Sequence, residues 1–201
     1  MMGIVKSVRK LLGLYKRPST EQVMQAEYYQ KLHEENRAYQ ENNWLVPEMA
    51  RLLTCSPKSV VEIGCGNARF LKAVAQHVET ATGLDWAVSP MIGALPDNAK
   101  VQRADVTKDE IPSADLICSG DVLEHFEPSV VESVVAKLHS RARHNFHVIA
   151  CYDDGHSHLT VMEPAQWLSL FQKIDPAYKL ERAWVRRKQK PNDQVCIICN
   201  F

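Results

Sequence analysis

The sequence lacks a net charge, a long apolar run and a dense set of cysteines, and each absence excludes a class of protein. Its 201 residues contain 24 basic and 24 acidic side chains, so neither a uniformly basic nucleic-acid binder nor an acidic disordered chain is expected. No apolar stretch approaches the roughly 20 residues that cross a bilayer. With 45% apolar and 24% charged residues, the composition is that of one globular domain with its own core.

The six cysteines are spread singly along the chain, unlike the regular framework of a small disulfide-rich secreted protein. This usage favours a reducing, cytoplasmic location. The N-terminus agrees with it, because charges interrupt the apolar residues too often for a signal peptide. Cys196 and Cys199 form a C-x-x-C pair inside a β-like run, where side chains three residues apart point to opposite faces, so the pair is not expected to bind zinc.

Charge is unevenly distributed, because the first twenty residues contain five basic side chains and no acidic one. Apolar residues recur there at helical spacing from Ile4 to Tyr15, with most of the basic residues on the other side. The pattern predicts an amphipathic helix over residues 4–17. Two roles stay open for it: packing on the domain as part of a lid, or peripheral contact with the inner face of a membrane, where each cation contributes about 1 kcal/mol.

The remaining pattern predicts helices that precede an α/β domain. Helices are expected over about 20–39 and 44–53, and residues 1–56 are interpreted as a cap over a domain that spans 57–201. From residue 59, short apolar runs alternate with helical stretches, which is typical of βαβ units. Strands are predicted at 59–63, 80–84, 100–104, 114–119 and 145–151, helices at 67–77, 129–141 and 164–173, and a final hairpin of 178–187 and 194–201 around a turn at 190–193.

The most informative segment is the predicted strand 59–63, which runs directly into Gly64-Cys65-Gly66 and then a helix. Glycines there let the chain turn sharply and let a ligand approach the backbone at the carboxyl end of the strand, where open α/β sheets bind ligands. A nucleotide-like cofactor is therefore expected. A dinucleotide fingerprint would need a third glycine at position 69, where this chain has Arg69, so NAD and FAD are not expected.

With Glu62 before the two glycines and Ala68 after them, the segment resembles motif I of the class I S-adenosylmethionine-dependent methyltransferases. The resemblance extends over about residues 59–201, and it is greatest to the small methyltransferases of bacterial glycan and secondary-metabolite pathways. It implies a Rossmann-like α/β fold: a seven-stranded, mostly parallel sheet with helices on both faces and a C-terminal antiparallel hairpin. It also implies S-adenosylmethionine as methyl donor and S-adenosylhomocysteine as product.

The same resemblance implies which residues bind the cofactor. Asp85, at the end of the second predicted strand, matches the family's ribose-binding acid, and Trp86 follows it as a partner for the adenine. Asp105 matches the position that accepts the adenine amino group. The complete set predicted to bind the cofactor is Glu62, Gly64, Cys65, Gly66, Asp85, Trp86, Asp105, Val106 and Ser119.

Two further segments resemble the acceptor side of the family's site. The fourth predicted strand ends in an LEH-type signature, Leu123-Glu124-His125, and His158 lies in a His-plus-helix stretch after the fifth. A hydroxyl acceptor needs a base, and histidine suits that role near neutral pH. His158 or His125 is therefore predicted as the base, with Asp121 as a further catalytic residue. Other candidates for the base are Asp153, Asp154 and His156, and the predicted cap residues over the site are Tyr28, Tyr29, Asn43 and Trp44.

Several alternatives concern the acceptor and the partners. Side chains at 153–158 include possible ligands for a divalent metal, but a surface loop is the favoured interpretation and no metal is predicted. The acceptor is expected to be an oxygen or nitrogen of a small molecule or a lipid-linked glycan. RNA is a minority alternative, because the basic hairpin from Arg182 to Lys190 is interpreted as a solvated face. A non-catalytic, methyltransferase-like binding subunit of a complex is the other alternative.

Overall fold

The computed structural model describes residues 17–201, so the predicted N-terminal helix lies outside the described residues except for Arg17. Three short helices begin the described part: α1 (Thr20–Val23), α2 (Ala26–Glu35) and α3 (Arg37–Glu41). A 3₁₀ turn at Val46–Glu48, helix α4 (Met49–Leu52) and a second 3₁₀ turn at Leu53–Cys55 follow. Within residues 17–201, no helix combines the length and the apolar character that crossing a membrane requires.

The single helix predicted over 20–39 is divided into α1, α2 and α3 because two residues leave the helical conformation. Gln25 and Asn36 are both extended, with φ of −130° and −106°. Asn36 ends α2, and its side-chain oxygen accepts from the backbone N–H of Ala38 at 3.0 Å to start α3. Asparagine favours such a cap over a helix interior.

Seven strands form one sheet in the order β3-β2-β1-β4-β5-β7-β6. The first five are parallel, and β7 is antiparallel to both β5 and β6. The predicted Rossmann-like fold with its C-terminal hairpin is confirmed. The strands are β1 (Ser59–Ile63), β2 (Thr80–Asp85), β3 (Ala99–Arg103), β4 (Ala114–Gly120), β5 (Ala142–Ala150), β6 (Lys179–Arg187) and β7 (Lys190–Cys199), and the sheet's helices are α5 (Arg69–Val74), α6 (Pro128–His139) and α7 (Pro164–Gln172).

The position of the hairpin turn differs from the prediction. Arg187 pairs with Lys190, so residues 188–189 make the turn and β7 already includes the segment predicted to turn. Pro191 is tolerated in this strand because β5 pairs only with residues 195–199 of β7, which leaves one side of Pro191 without a neighbouring strand. The hairpin therefore extends beyond the rest of the sheet.

Alternating strand residues build one apolar cluster on each face of the sheet. Val61 and Ile117 belong to the cluster that contains α6 and α7, and Val60 and Leu116 belong to the cluster that contains α5. The second cluster also includes Leu45 and Leu52, which are 1% and 0% exposed, so the segment directly before β1 is part of the core. Cys196 and Cys199 fall in different clusters, as predicted for opposite faces of a strand.

Candidate functional site

A cavity of about 380 Å³ lies at the carboxyl ends of the parallel strands. Its volume is within the range of small-molecule sites, and its position is the one at which open α/β sheets bind ligands. Helix α2, the residues from α3 to Leu45, the loop after β5 and the C-terminal hairpin complete its wall. The residues predicted to bind a cofactor that line this cavity are Glu62, Gly64, Cys65, Gly66, Asp85, Trp86, Asp105 and Val106.

The glycine loop after β1 is held tightly against the end of β4. Gly64 has a φ of +69°, and its N–H donates to the carbonyl oxygen of Leu84 at 2.7 Å. A Cβ atom on Gly64 would lie 2.3 Å from Cγ2 of Val122, which is far inside van der Waals contact. Only glycine fits this position. Because Gly64 and Gly66 have no side chain, the backbone of the loop itself forms part of the cavity floor.

Asp85 lies at the floor of the cavity and supports the glycine loop. Its Oδ2 accepts from the N–H of Gly66 at 2.7 Å, and its Oδ1 accepts from the N–H of Ala87 at 3.0 Å. Burial raises the pKa of Asp85, and the neighbouring His33 opposes this effect. A carboxylate offers about four acceptor positions, so two hydrogen bonds leave Asp85 able to accept from hydroxyls of a ligand.

Helix α2 brings two side chains to the cavity from one face. Tyr29 and His33 are four residues apart and both line it, as expected for neighbours on one side of a helix. His33 Nε2 lies 3.9 Å from Asp85 Oδ1, and its Cε1 lies 3.5 Å from where a Gly66 Cβ would be. Sequence reasoning proposed Tyr29 as a cap residue and missed His33, although the spacing of four was the available signal.

Tyr29 connects two parts of the cavity. Its ring centroid lies 6.0 Å from that of Trp86 and 5.7 Å from that of His125, the latter ring being perpendicular. Burial raises the pKa of the Tyr29 hydroxyl, so it stays protonated. Of the other predicted cap residues, Asn43 and Trp44 line the cavity, whereas Tyr28 is outside the lining and its hydroxyl is 3.0 Å from Nδ1 of His156.

His125 and His158 face each other at the second part of the cavity. Their rings are perpendicular with centroids 4.9 Å apart. Nδ1 of His125 lies 3.2 Å from the carbonyl oxygen of Ser157, and Nδ1 of His158 lies 2.5 Å from that of Tyr152. A carbonyl oxygen only accepts, so Nδ1 of each ring must carry the proton. Burial lowers the pKa of both histidines, to about 4 for His125, which leaves neutral rings with a lone pair on Nε2.

Asp121 completes this group from the end of β4. It has a φ of +64°, which is uncommon for a residue with a side chain. Its Oδ1 lies 3.8 Å from Nε2 of His158 and has no hydrogen-bond partner among residues 17–201. One potential ligand atom from each of Asp121, His125 and His158 lies within 4.8 Å of the other two, so the structure brings together all three residues predicted to be catalytic.

The other candidates for the base stabilise the loop that carries His158. Asp154 Oδ1 accepts from the backbone N–H groups of His156, Ser157 and His158 at 2.8 to 3.1 Å. Burial acts to raise the pKa of Asp154, but the hydrogen bond from His156 and the neighbouring histidines hold it well below its usual range. Asp153 pairs with Arg17 at 2.8 Å. These acidic side chains therefore fix the loop. Asp153, Asp154 and His156 line the cavity together with His158, but both acids are already engaged in these contacts.

Two buried side chains near the site contact other parts of the sheet instead of the cavity. Ser119, predicted to bind the cofactor, does not line the cavity: it is fully buried, and its hydroxyl lies 2.8 Å from Nδ1 of His147. Glu124 is also fully buried, and its Oε1 accepts from the N–H of Ala150 at 2.6 Å. Its carbonyl oxygen accepts from the N–H groups of residues 159 and 160. Glu124 thus joins the ends of β4 and β5 to the loop that carries His158.

The C-terminal hairpin adds positive charge to the outer wall of the cavity. Arg186, Arg187 and Lys190 line it while remaining exposed. The solvated face predicted for this hairpin therefore also borders the site. The guanidinium of Arg186 lies 4.6 Å from the ring centroid of Trp44 and hydrogen-bonds to the hydroxyl of Tyr152, so the hairpin is attached to the cap and to the loop after β5.

Several solved structures are similar to this chain. A 1,6-didemethyltoxoflavin-N1-methyltransferase of Burkholderia thailandensis, with bound 1,6-didemethyltoxoflavin and S-adenosylhomocysteine, has a TM-score of 0.68 at 14% identity, over 92% of this chain and 91% of that one. The N-methyltransferase NodS of Bradyrhizobium japonicum WM9, in complex with S-adenosylhomocysteine, has a TM-score of 0.63 at 15% identity, over 87% and 96%. A methyltransferase in complex with the Trm112 activator of Haloferax volcanii has a TM-score of 0.61 at 11% identity, over 85% and 92%.

Among curated proteins, none matches this chain. The sequence model of a methyltransferase domain family matches residues 33–188, which include α3, β1 to β6 and every residue predicted to bind cofactor or to catalyse. The chain therefore belongs to this methyltransferase domain family and has the Rossmann-like class I fold that its sequence predicted.

Proposed function

We propose that this protein transfers a methyl group from S-adenosylmethionine to an oxygen or nitrogen of a small molecule or glycan. The observation that carries the proposal is that one cavity contains two chemically different ends. Acidic side chains at the carboxyl ends of β1, β2 and β3 line one end, and the His125–His158–Asp121 group after β4 and β5 lines the other. The sheet order places these ends side by side, as a donor and an acceptor of a methyl group require.

The residues at the acidic end fit S-adenosylmethionine. Glu62 is buried, and its Oε2 has no hydrogen-bond partner within the described part of the chain, so a bound ammonium or hydroxyl donor would satisfy it. Asp85 would accept from the ribose hydroxyls, Trp86 would pack on the adenine and Asp105 would accept from the adenine amino group. Once bound, the cofactor supplies a methyl group that is already activated by its positively charged sulfur.

The histidines supply the proton chemistry of the acceptor. A hydroxyl that attacks the methyl group loses its proton, and a neutral imidazole is a suitable base for that step. Nε2 of His158 or of His125 is the atom available, because Nδ1 of each ring donates to a backbone carbonyl oxygen. Tyr29, His33 and the hairpin cover the cavity from above, which limits access of water to the reacting atoms.

One of the similar structures supports a small acceptor. It is described as an N1-methyltransferase and contains 1,6-didemethyltoxoflavin together with S-adenosylhomocysteine. The cofactor and the acceptor share a cavity of about 380 Å³, which favours a compact acceptor. A longer acceptor such as a glycan would need to extend past the hairpin to the outside.

The role of Asp85 gives the first test. Replacing Asp85 with Ala removes the carboxylate expected to accept from both ribose hydroxyls, and each such charge-assisted bond is worth about 1.5–3 kcal/mol. We expect the affinity for S-adenosylhomocysteine to fall at least tenfold in titration calorimetry. Asp97→Ala, at an exposed position, is the matched control. An unchanged affinity in folded Asp85→Ala would remove Asp85 from the cofactor site.

A second experiment separates catalysis from binding. The protein is incubated with methyl-labelled S-adenosylmethionine and a cell extract fractionated into small molecules, glycans, lipids and RNA. We expect label in the small-molecule or glycan fraction and an equal amount of S-adenosylhomocysteine. Tight cofactor binding without turnover on any fraction would instead indicate a binding subunit, and label in RNA would indicate the minority alternative.

A further inference from the structure

We propose that Asp121, His125 and His158 form a binding site for a divalent transition-metal ion. The ligand atoms of their two imidazoles and one carboxylate all lie within 4.8 Å of one another. This donor set suits Zn²⁺, Mn²⁺, Fe²⁺ or Co²⁺ better than Mg²⁺ or Ca²⁺, which prefer oxygen ligands. Bond lengths of about 2.0–2.2 Å place ligands of one ion at most about 4.4 Å apart. A side-chain shift of under about 1 Å is therefore enough to close the site.

The orientation of both histidines is the one that metal binding requires. A metal-ligating imidazole usually donates its second N–H to a carbonyl or carboxylate oxygen, which fixes the ring and leaves the other nitrogen free. Here Nδ1 of His125 and Nδ1 of His158 donate to the carbonyl oxygens of Ser157 and Tyr152. Both Nε2 atoms are consequently left as acceptors, and the two rings belong to different elements that meet only in the folded chain.

A cation would also satisfy the charges that meet at this point. Asp121 Oδ1 is buried without a hydrogen-bond partner in the described residues, and its 3.8 Å separation from His158 Nε2 is too long for a hydrogen bond. Carboxylate oxygens and imidazole lone pairs are all acceptors, so a positive ion among them removes an otherwise unfavourable arrangement.

The proposed ligands differ from the cluster at 153–158 that the sequence alone singles out. Asp154 already accepts from three backbone N–H groups and the Ser157 hydroxyl, and Asp153 pairs with Arg17. Only His158 is shared between the two sets. Residues 1–16 contain no histidine, cysteine, aspartate or glutamate, so they bring no further ligand of these types.

The site would act on the acceptor, and this part rests on the proposed function. Three protein ligands leave open positions on the ion, and the three residues line the cavity. With both Nε2 atoms bound to the ion, the histidines are ligands, and the ion takes the place of the histidine base described above. An acceptor hydroxyl whose oxygen binds there ionises more readily and releases its proton to solvent. Its oxygen then forms a bond to the methyl carbon while the carbon–sulfur bond breaks and the electron pair returns to sulfur, which gives the methyl ether and S-adenosylhomocysteine.

Cobalt binding tests the site without any methyl transfer. Full-length protein treated with a chelator and freed of it is titrated with Co²⁺ while the visible absorption of the ion is recorded. We expect one equivalent to bind with nitrogen and oxygen ligation, and Zn²⁺ to displace it. The dissociation constant should rise at least tenfold in Asp121→Asn and in His158→Gln, and stay within about twofold in His77→Gln, at an exposed position.

His156→Gln distinguishes the two clusters. It removes a histidine of the 153–158 loop and leaves Asp121, His125 and His158 in place, so we expect its Co²⁺ affinity to be within threefold of that of the unmodified chain. No cobalt spectrum for the unmodified chain, thiolate-to-cobalt absorption, or loss of binding in His156→Gln but not in Asp121→Asn would each overturn the proposal. Because S-adenosylhomocysteine affinity is measured separately, failure of the metal site does not count against the methyltransferase function.

Discussion

Gly64 and Gly93 have similar backbone conformations in different surroundings. Their φ values are +69° and +58°, but a Cβ on Gly64 would collide with Val122, whereas one on Gly93 would meet only the flexible end of Lys72 at 3.7 Å. Both positions strain an alanine, at about 1–2 kcal/mol. Only Gly64 adds a clash, with overpacking of the kind that costs about 1–3 kcal/mol.

We therefore predict that Gly64→Ala lowers the free energy of unfolding by about 1–3 kcal/mol more than Gly93→Ala does. Urea unfolding of the two variants measures the difference. Gly64→Ala should also bind S-adenosylhomocysteine more weakly, because the loop that it displaces forms the cavity floor, and Gly93→Ala should bind normally. Equal destabilisation by the two substitutions would show that the contact with Val122 relaxes at no cost.

Residues of the site differ in how far the sequence reveals them. Gly64, Asp85 and His125 lie at or shortly after the carboxyl ends of strands, so a local pattern predicts both their position and their neighbours. His33 reaches the cavity through packing of a helix that is distant in sequence from the strands, and its spacing of four from Tyr29 was the available local signal. Arg186 reaches the cavity through the hairpin, and no short pattern marks that contact. The fold class was also predictable from local patterns, because the alternation of strands and helices follows from the spacing of apolar residues along the chain.

Elements of the N-terminal region pack on the sheet as well as over the cavity. Leu45 and Leu52 are buried against β1 and α5, and Asn67 at the start of the α5 region donates to the carbonyl oxygens of residues 40 and 42 at 3.0 and 2.8 Å. The segment between α3 and β1 is thus anchored on both sides. Its helical pattern was predictable, but its division into short turns depends on these tertiary contacts.

Leu45→Ala tests how strongly this segment is attached. Removing a fully buried leucine costs about 2–5 kcal/mol, and we expect a loss of unfolding free energy in that range by urea denaturation. Val46→Ala is the matched control, because Val46 is 36% exposed and its truncation should cost less than about 1 kcal/mol. A small effect of both substitutions would mean that the segment is loosely held in solution.

Several histidines are buried across the described part of the molecule. His147 lies in β5 and is fully buried, and burial lowers its pKa to about 3. Burial likewise lowers the pKa of His33, His125 and His158. An unfolded histidine binds a proton below about pH 6.5, so these four histidines bind more protons in the unfolded chain than in the folded one in mild acid. Their contribution to stability is complete above pH 6.5 and is lost as the pH falls.

His147→Gln isolates one of these contributions. Below pH 6.5, the unfolding free energy of the unmodified protein should fall more steeply with decreasing pH than that of the variant, with a difference in slope approaching about 1.4 kcal/mol per pH unit near pH 5. Urea unfolding at pH 7, 6 and 5 measures both slopes. Parallel pH dependences would show that His147 titrates in the folded protein near its ordinary pKa.

The position of β7 also determines the order in which the site can be assembled during synthesis. Residues 195–199 are the neighbours of β5, and β6, although made earlier, joins the sheet only through β7. While these residues are still inside the ribosome, the edge of β5 has no neighbouring strand and the hairpin is not attached to the sheet. The cofactor end of the cavity, built by β1 to β3, can then form first, whereas the hairpin wall at the acceptor end is completed only after β7 has been synthesised.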